Sequence, residues 1–390
     1  YGLPATVGSA QVAFLMRLSP SVSDGIVGDL GERDLINRAQ LTLRALTFNA
    51  TAGRYLVTIK CTGCDAQPPS TTGNSLVLFS LYGSWSSSTN AISAGDEIIV
   101  PVFTCTATNI PLLYIGAKII FADIDPKTFN ISIEDVKRKI TPKTKAIVCV
   151  DYGGVPCDYD ALHALCREHR LTLISDAAHS IGSVYKGQIS GTCADFTVFS
   201  FQAIKTLTTG DGGLLAIRDA SLLDKAKRLR WFGIDRSAKQ GGIWENDIVE
   251  VGYKYQMTDI AAGIGLAGLK HIQQVIDYRN ALFQAYEAHL NSPRIALVGH
   301  SRTDHYFTSA WLLTIIVDKD RMGLMKKLRE HGIESAQVHY RNDRYSVLGG
   351  RCHDLPNMDA LEDRYLVLPI HPRVRAEDVQ KICGLINEGW

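Results

Sequence analysis

Four stretches of this chain are apolar at consecutive positions rather than at alternate ones: residues 98–103, 118–123, 146–151 and 171–175. A strand that is hydrophobic on both faces must be covered on both. Segments that fit helices lie between these stretches, at residues 106–114, 132–140 and 159–169. The alternation predicts an α/β fold, a mixed and mostly parallel sheet flanked by helices. Such sheets receive ligands at the carboxyl ends of their strands, which is where candidate chemistry is sought.

The texture on either side of this core differs. Residues 1–94 are rich in Ser, Thr, Gly and Asn, with alternation in Tyr55-Leu-Val-Thr-Ile-Lys60 and Leu76-Val-Leu-Phe-Ser-Leu-Tyr82, and predict a β-rich or irregular N-terminal segment. Residues 95–259 then form a large domain. Residues 260–390, with helices expected at 260–289, 322–331 and 376–388 and a strand at 311–317, form a smaller α+β domain.

Charge excludes some partners. With 41 Lys+Arg against 40 Asp+Glu, the net charge of +1 offers no bulk attraction to nucleic acid or to an acidic membrane. The cluster Lys225-Ala-Lys-Arg-Leu-Arg230 reads as a solvated helix face. No apolar run approaches the roughly 18 residues of a membrane span, and residues 1–16 lack the basic start of a signal peptide. Nine cysteines, an odd number scattered among apolar neighbours, fit a reducing compartment and a cytoplasmic location. Cys61-Thr-Gly-Cys64 has metal-binding spacing but no second pair, so no metal is expected.

The chemistry is concentrated after two of the strands. The stretch 171–175 ends in Asp176-Ala-Ala-His179, and the apolar run Phe196-Thr-Val-Phe-Ser200 leads into Phe201-Gln-Ala-Ile-Lys205 and Thr208-Thr-Gly-Asp-Gly-Gly213. Asp176 alone reads as a helix N-cap. Lys205, directly after a buried strand, can be desolvated so that its amine becomes neutral and nucleophilic, as a Schiff-base lysine requires. Pyridoxal phosphate (PLP) needs both groups, together with phosphate donors: a lysine to hold it and a carboxylate to keep its ring nitrogen protonated.

Five strings occur in register: Gly95-Asp-Glu-Ile-Ile-Val-Pro-Val-Phe-Thr104, Gly116-Ala-Lys-Ile-Ile-Phe-Ala-Asp-Ile-Asp125, Ser175-Asp-Ala-Ala-His-Ser-Ile-Gly182, the Lys205 segment and Gly252-Tyr-Lys-Tyr-Gln-Met-Thr-Asp259. Together with Leu368-Pro-Ile-His-Pro372, they resemble the DegT/DnrJ/StrS family of PLP-dependent sugar aminotransferases, over residues 95–390. The resemblance implies a fold-type-I transferase that moves an amino group from glutamate to a keto-sugar of a nucleotide-sugar, in surface polysaccharide or amino-sugar biosynthesis. It also implies a homodimer with its active sites at the interface. By the same resemblance, Lys205 holds the cofactor and shuttles the proton, Asp176 pairs with the ring nitrogen, His179 lies beside the 3-oxygen, and Ser200 binds phosphate. Lys254 then approaches the partner subunit's site.

Two positions depart from the family pattern. Cys105 stands where relatives carry an aromatic ring that stacks on the cofactor. The phosphate loop of relatives has only a weak counterpart in Thr72-Gly-Asn-Ser-Leu76, which makes Gly73 and Asn74 the candidates. These departures keep a second reading open: a catalytically impaired PLP-fold or sugar-binding protein with a fused β-rich module. Lys205 argues for the enzyme, because related sugar dehydratases carry histidine there. By position, substrate contacts are expected from the loops after Trp231-Phe-Gly-Ile-Asp-Arg236 and from His339-Tyr-Arg-Asn342, with Trp231 itself in the core.

Overall fold

A computed structural model describes residues 10–17, 46–51, 54–61, 92–236, 247, 248 and 250–390. The expected strand at 76–82, Cys64, Gly73 and Asn74 lie outside the described residues. The chain divides into two compact units, residues 1–70 with 257–266, and residues 71–256 with 267–390. In the first, Ala10–Arg17 and Leu46–Thr51 pair antiparallel with the two edges of Arg54–Cys61, so the predicted β character at 55–60 is realised as a central strand.

The second unit is built on a six-stranded sheet. Its order is Gly213–Ile217, Phe196–Ser200, Thr172–Asp176, Thr144–Val150, Glu97–Pro101, Lys118–Ala122. All neighbours run parallel except the edge strand Gly213–Ile217. Successive side chains of a strand face opposite ways, and both faces are covered here. Ile98, Val100, Val148 and Ile174 join Leu112 of helix Thr106–Tyr114 in one core. Ile99, Ile147 and Leu173 join Tyr159, Leu162 and Leu165 of helix Tyr159–His169 in another. Local signals start the helices: Ser132 accepts from Asp135 N, and Asp158 from Ala161 N.

A third core gathers helix Ile272–His289, strand Leu313–Val317 and helices Arg321–Glu330 and Ala376–Asn387. The single helix expected at 260–289 is instead two, Asp259–Leu269 and Ile272–His289, because His271 leaves helical geometry and its N–H closes a tight turn on Gly268 O at 3.0 Å. Two further expectations are corrected. No helix follows Asp176, so it is not a helix cap. Trp231 is half-buried rather than core, because Lys254 and Arg236 lie over its ring. No helix among the described residues is long and apolar enough to cross a membrane, and no His, Cys, Asp and Glu cluster among them could hold a metal ion.

Candidate active site

Asp176 is the last residue of a central strand, so its carboxylate projects at the carboxyl edge of the sheet. Thr108 Oγ1 donates to its Oδ2 at 2.7 Å, and Ala178 N donates to its Oδ1 at 3.0 Å. Thr108 belongs to helix Thr106–Tyr114 and is itself bonded to Thr104 Oγ1 at 2.9 Å. Burial pushes the Asp176 carboxyl above the usual range, while these two donors and the charge on Lys205 pull it back.

Lys205 follows the neighbouring strand Phe196–Ser200 and is turned inward by the bond from its N–H to Gln202 O at 2.9 Å. Its Nζ lies 3.9 Å from the centroid of the Trp311 ring, and among the described residues it makes no hydrogen bond or ion pair. Burial lowers the ammonium to about 8, and Asp176 and Cys105 act in the opposite sense. The hydroxyl of the adjacent Thr206 is buried without a partner among the described residues.

His179 is 3% exposed and stacks on Trp311, with ring centroids 3.9 Å apart and planes 21° apart. Gly153 N donates to its Nδ1 at 3.3 Å, so the imidazole proton sits on Nε2, which faces His339 Nε2 at 3.4 Å. Both imidazoles are held neutral. Burial drives His179 well below the ordinary histidine range and His339 down to about 3, with Lys205 adding to both shifts. His339 reaches this position because Tyr340–Arg341 pairs with Phe103–Thr104, and its backbone is left-handed, φ 66°.

The other candidates fall in different surroundings. Cys105 is half-buried at the N-terminus of helix Thr106–Tyr114, close enough to act on Lys205. Ser200 ends its strand half-buried, its Oγ accepting from Gln202 N at 3.4 Å. Lys254 is exposed, with Nζ 3.8 Å from the Trp231 ring centroid rather than beside Lys205. In the 339–342 segment, Arg341 is buried against Asp343, Asp359 and Glu362, and Asn342 Nδ2 donates to Thr104 O at 2.6 Å, so these two side chains serve the fold.

A desolvated amine without a polar partner among the described residues, within electrostatic reach of a carboxylate fixed by two donors, suits a cofactor that presents a carbonyl carbon to the amine and a ring nitrogen to the acid. The residues present fit PLP at both points. Residues 86–387 match the DegT/DnrJ/EryC1/StrS aminotransferase family. The chain belongs to this family. It is therefore a PLP-dependent sugar aminotransferase.

The aminotransferase is similar to GDP-perosamine synthase of Escherichia coli O157:H7, at 35% identity over 76% of this chain and 80% of that protein. The enzyme of the same name from Vibrio cholerae is 34% identical, over 76% of this chain and 80% of that protein. Among solved structures, sugar aminotransferase CalS13 from Micromonospora echinospora superposes with a TM-score of 0.75 at 29% identity, covering 83% of this chain and 86% of that one. The PLP-form of the sugar aminotransferase Spr1654 from Streptococcus pneumoniae gives 0.71 at 26% identity, covering 93% and 96%.

Reading the aminotransferase from sequence missed Thr108, Trp311 and the pairing of His179 with His339. Thr104 and Thr108, four apart at a helix start, carried a faint signal of shared bonding. For Trp311 there was none, since it meets Ile204 from 107 residues away.

Proposed function

We propose that this aminotransferase moves an amino group from glutamate to a keto-sugar carried on a nucleotide, as a homodimer in surface polysaccharide or amino-sugar biosynthesis, with Lys205 and Asp176 at the reacting centre. The observation that carries the assignment of residues is the buried Lys205 amine, lowered to about 8 and lacking a polar partner among the described residues, within the electrostatic reach of Asp176. Similarity to two GDP-perosamine synthases supports a nucleotide-linked sugar as the acceptor.

PLP, when bound, supplies an electron sink for the carbon that bears the migrating nitrogen. Lys205 would hold the cofactor and, as a neutral amine, would serve as the base that takes the proton from that carbon. Asp176, kept in place by Thr108 and Ala178, presents its carboxylate to the ring nitrogen. Ser200 contributes its hydroxyl to the phosphate, with Gly73 and Asn74 as further phosphate donors, and His179 flanks the ring. In the homodimer Lys254 reaches the partner subunit's site.

The test is spectroscopic and chemical. Purified protein with PLP should show a near-ultraviolet or visible band that borohydride bleaches, absent in Lys205→Ala. The rate at which the band forms should rise with pH and level off above about 8, because the neutral amine is the reacting form. Glutamate with a nucleotide keto-sugar should yield an amino-sugar detectable by mass spectrometry, and sedimentation should give a dimer. Turnover retained by Lys205→Ala would refute the assignment, and an active monomer would remove the role of Lys254.

A further inference from the structure

We propose that Trp311 is a positioning residue for Lys205, holding the ammonium against its ring face and the lysine's loop through its indole N–H. Three contacts converge on this side chain. Lys205 Nζ lies 3.9 Å from the ring centroid, and Nε1 donates to Ile204 O, the residue before the lysine, at 3.1 Å. The third is the stack on His179 at 3.9 Å. The indole is 6% exposed, so the charge it faces is largely desolvated, the setting in which a cation over a ring is worth most.

The backbone is built to keep it there. Trp311 N and Leu312 N both donate to Gly153 O, at 2.9 and 3.1 Å, and Arg279 Nη1 donates to Trp311 O at 3.2 Å. Ser309 Oγ donates to His179 O at 2.9 Å, and Ala310 is held at φ 51°, a left-handed conformation that alanine avoids without such constraints. Strain placed immediately before the residue that touches Lys205 is spent on aiming the indole.

The test reads Lys205 itself, in cofactor-free protein, by competitive acylation across pH with the modified peptide quantified by mass spectrometry. Asp176, Cys105, His179 and His339 are the other titratable groups acting on or near this amine, and all are unchanged in the variants. Wild type should titrate near 8. In Trp311→Leu the ammonium loses the ring within a site that stays apolar, and its midpoint should fall by about one pH unit. Trp311→Phe keeps a ring face and should stay within about half a unit of wild type. Because Phe has no N–H, the peptide containing Ile204 should nonetheless exchange its amide hydrogens faster in Trp311→Phe.

A midpoint in Trp311→Leu at or above the wild-type value, equal shifts in both variants, or unchanged exchange in Trp311→Phe would overturn the proposal. Fluorinated tryptophans, introduced in place of all five tryptophans, weaken the ring face with little change in shape and guard against a variant that fails to fold. The midpoint should fall stepwise with fluorine number, and a flat series would count against the ring contact. The consequence for catalysis rests on Lys205 holding the cofactor, but the labelling does not. A wild-type midpoint near 8 without any cofactor band would sink that reading and leave the role of Trp311 standing.

Discussion

Replacing Thr108 with valine removes one hydroxyl and keeps the shape of a side chain that is 2% exposed, so the change isolates the 2.7 Å bond to Asp176 Oδ2. A hydrogen bond to a charged group contributes about 1.5–3 kcal/mol, and one between neutral groups about 1 kcal/mol. Asp176 is already raised above its ordinary 3.8 by burial, with Thr108 the leading opposing influence. A carboxyl raised in the folded state favours folding most below 3.8, and that contribution is lost as pH rises through its folded pKa.

Valine withdraws a donor that bonds the ionised form best, lifts the folded pKa further, and so deepens the loss on the alkaline side. The expected gap between wild type and Thr108→Val in cofactor-free protein is about 2 kcal/mol at pH 8, narrowing to about 1 kcal/mol or less near pH 4. Thermal unfolding at one scan rate should show a difference of a few degrees at pH 8 that shrinks as pH falls. Thr108→Ser, which restores the hydroxyl, should recover most of it. A gap of constant size across this range would mean that the hydroxyl serves Thr104 and not Asp176.

Other expectations are independent of this one. Asp176→Asn should slow the half-reaction with the amino donor by orders of magnitude in stopped-flow absorbance while leaving the unfolding temperature at neutral pH unchanged or higher, since a buried charge is removed; near-wild-type rates would contradict its role. Cys105→Phe or Cys105→Tyr should tighten PLP about fivefold, because a stacking contact adds on the order of 1 kcal/mol. The Cys105 side chain makes no capping bond that the change would cost. Equal or weaker binding of both aromatic variants in an absorbance titration would show that this side chain does not face the ring. Arg341→Met leaves the fully buried Asp343 without its partner and should destabilise by about 3–5 kcal/mol in thermal or denaturant unfolding; a loss under about 1 kcal/mol would contradict the buried cluster.

The amino-acid sequence by itself determined the sheet and the two ends on which the site is built. Consecutive apolar residues at 98–103, 146–151 and 171–175 can be satisfied only by cover on both faces, and Ile98, Ile99 and Val100 divide between two cores as that argument requires. Asp176 and Lys205 stood out for the same local reason, as polar residues at or shortly after the carboxyl end of a buried strand. Periodicity, however, says which face of an element is buried and not which distant loop will lie against it. Helix 260–289 was overextended because the break at His271 is a local turn that the hydrophobic pattern does not mark.

What surrounds Asp176 and Lys205 was decided by tertiary structure. Thr108 meets Asp176 from 68 residues away, and His339 meets His179 from 160. Trp311 joins Lys205 and His179 only because its segment is pinned to Gly153. None of these long-range contacts is marked by spacing or composition, since each joins residues far apart along the chain. The desolvation that lowers Lys205 to about 8 and raises Asp176 has the same origin: it is a property of everything packed around a group, and no stretch of sequence contains it.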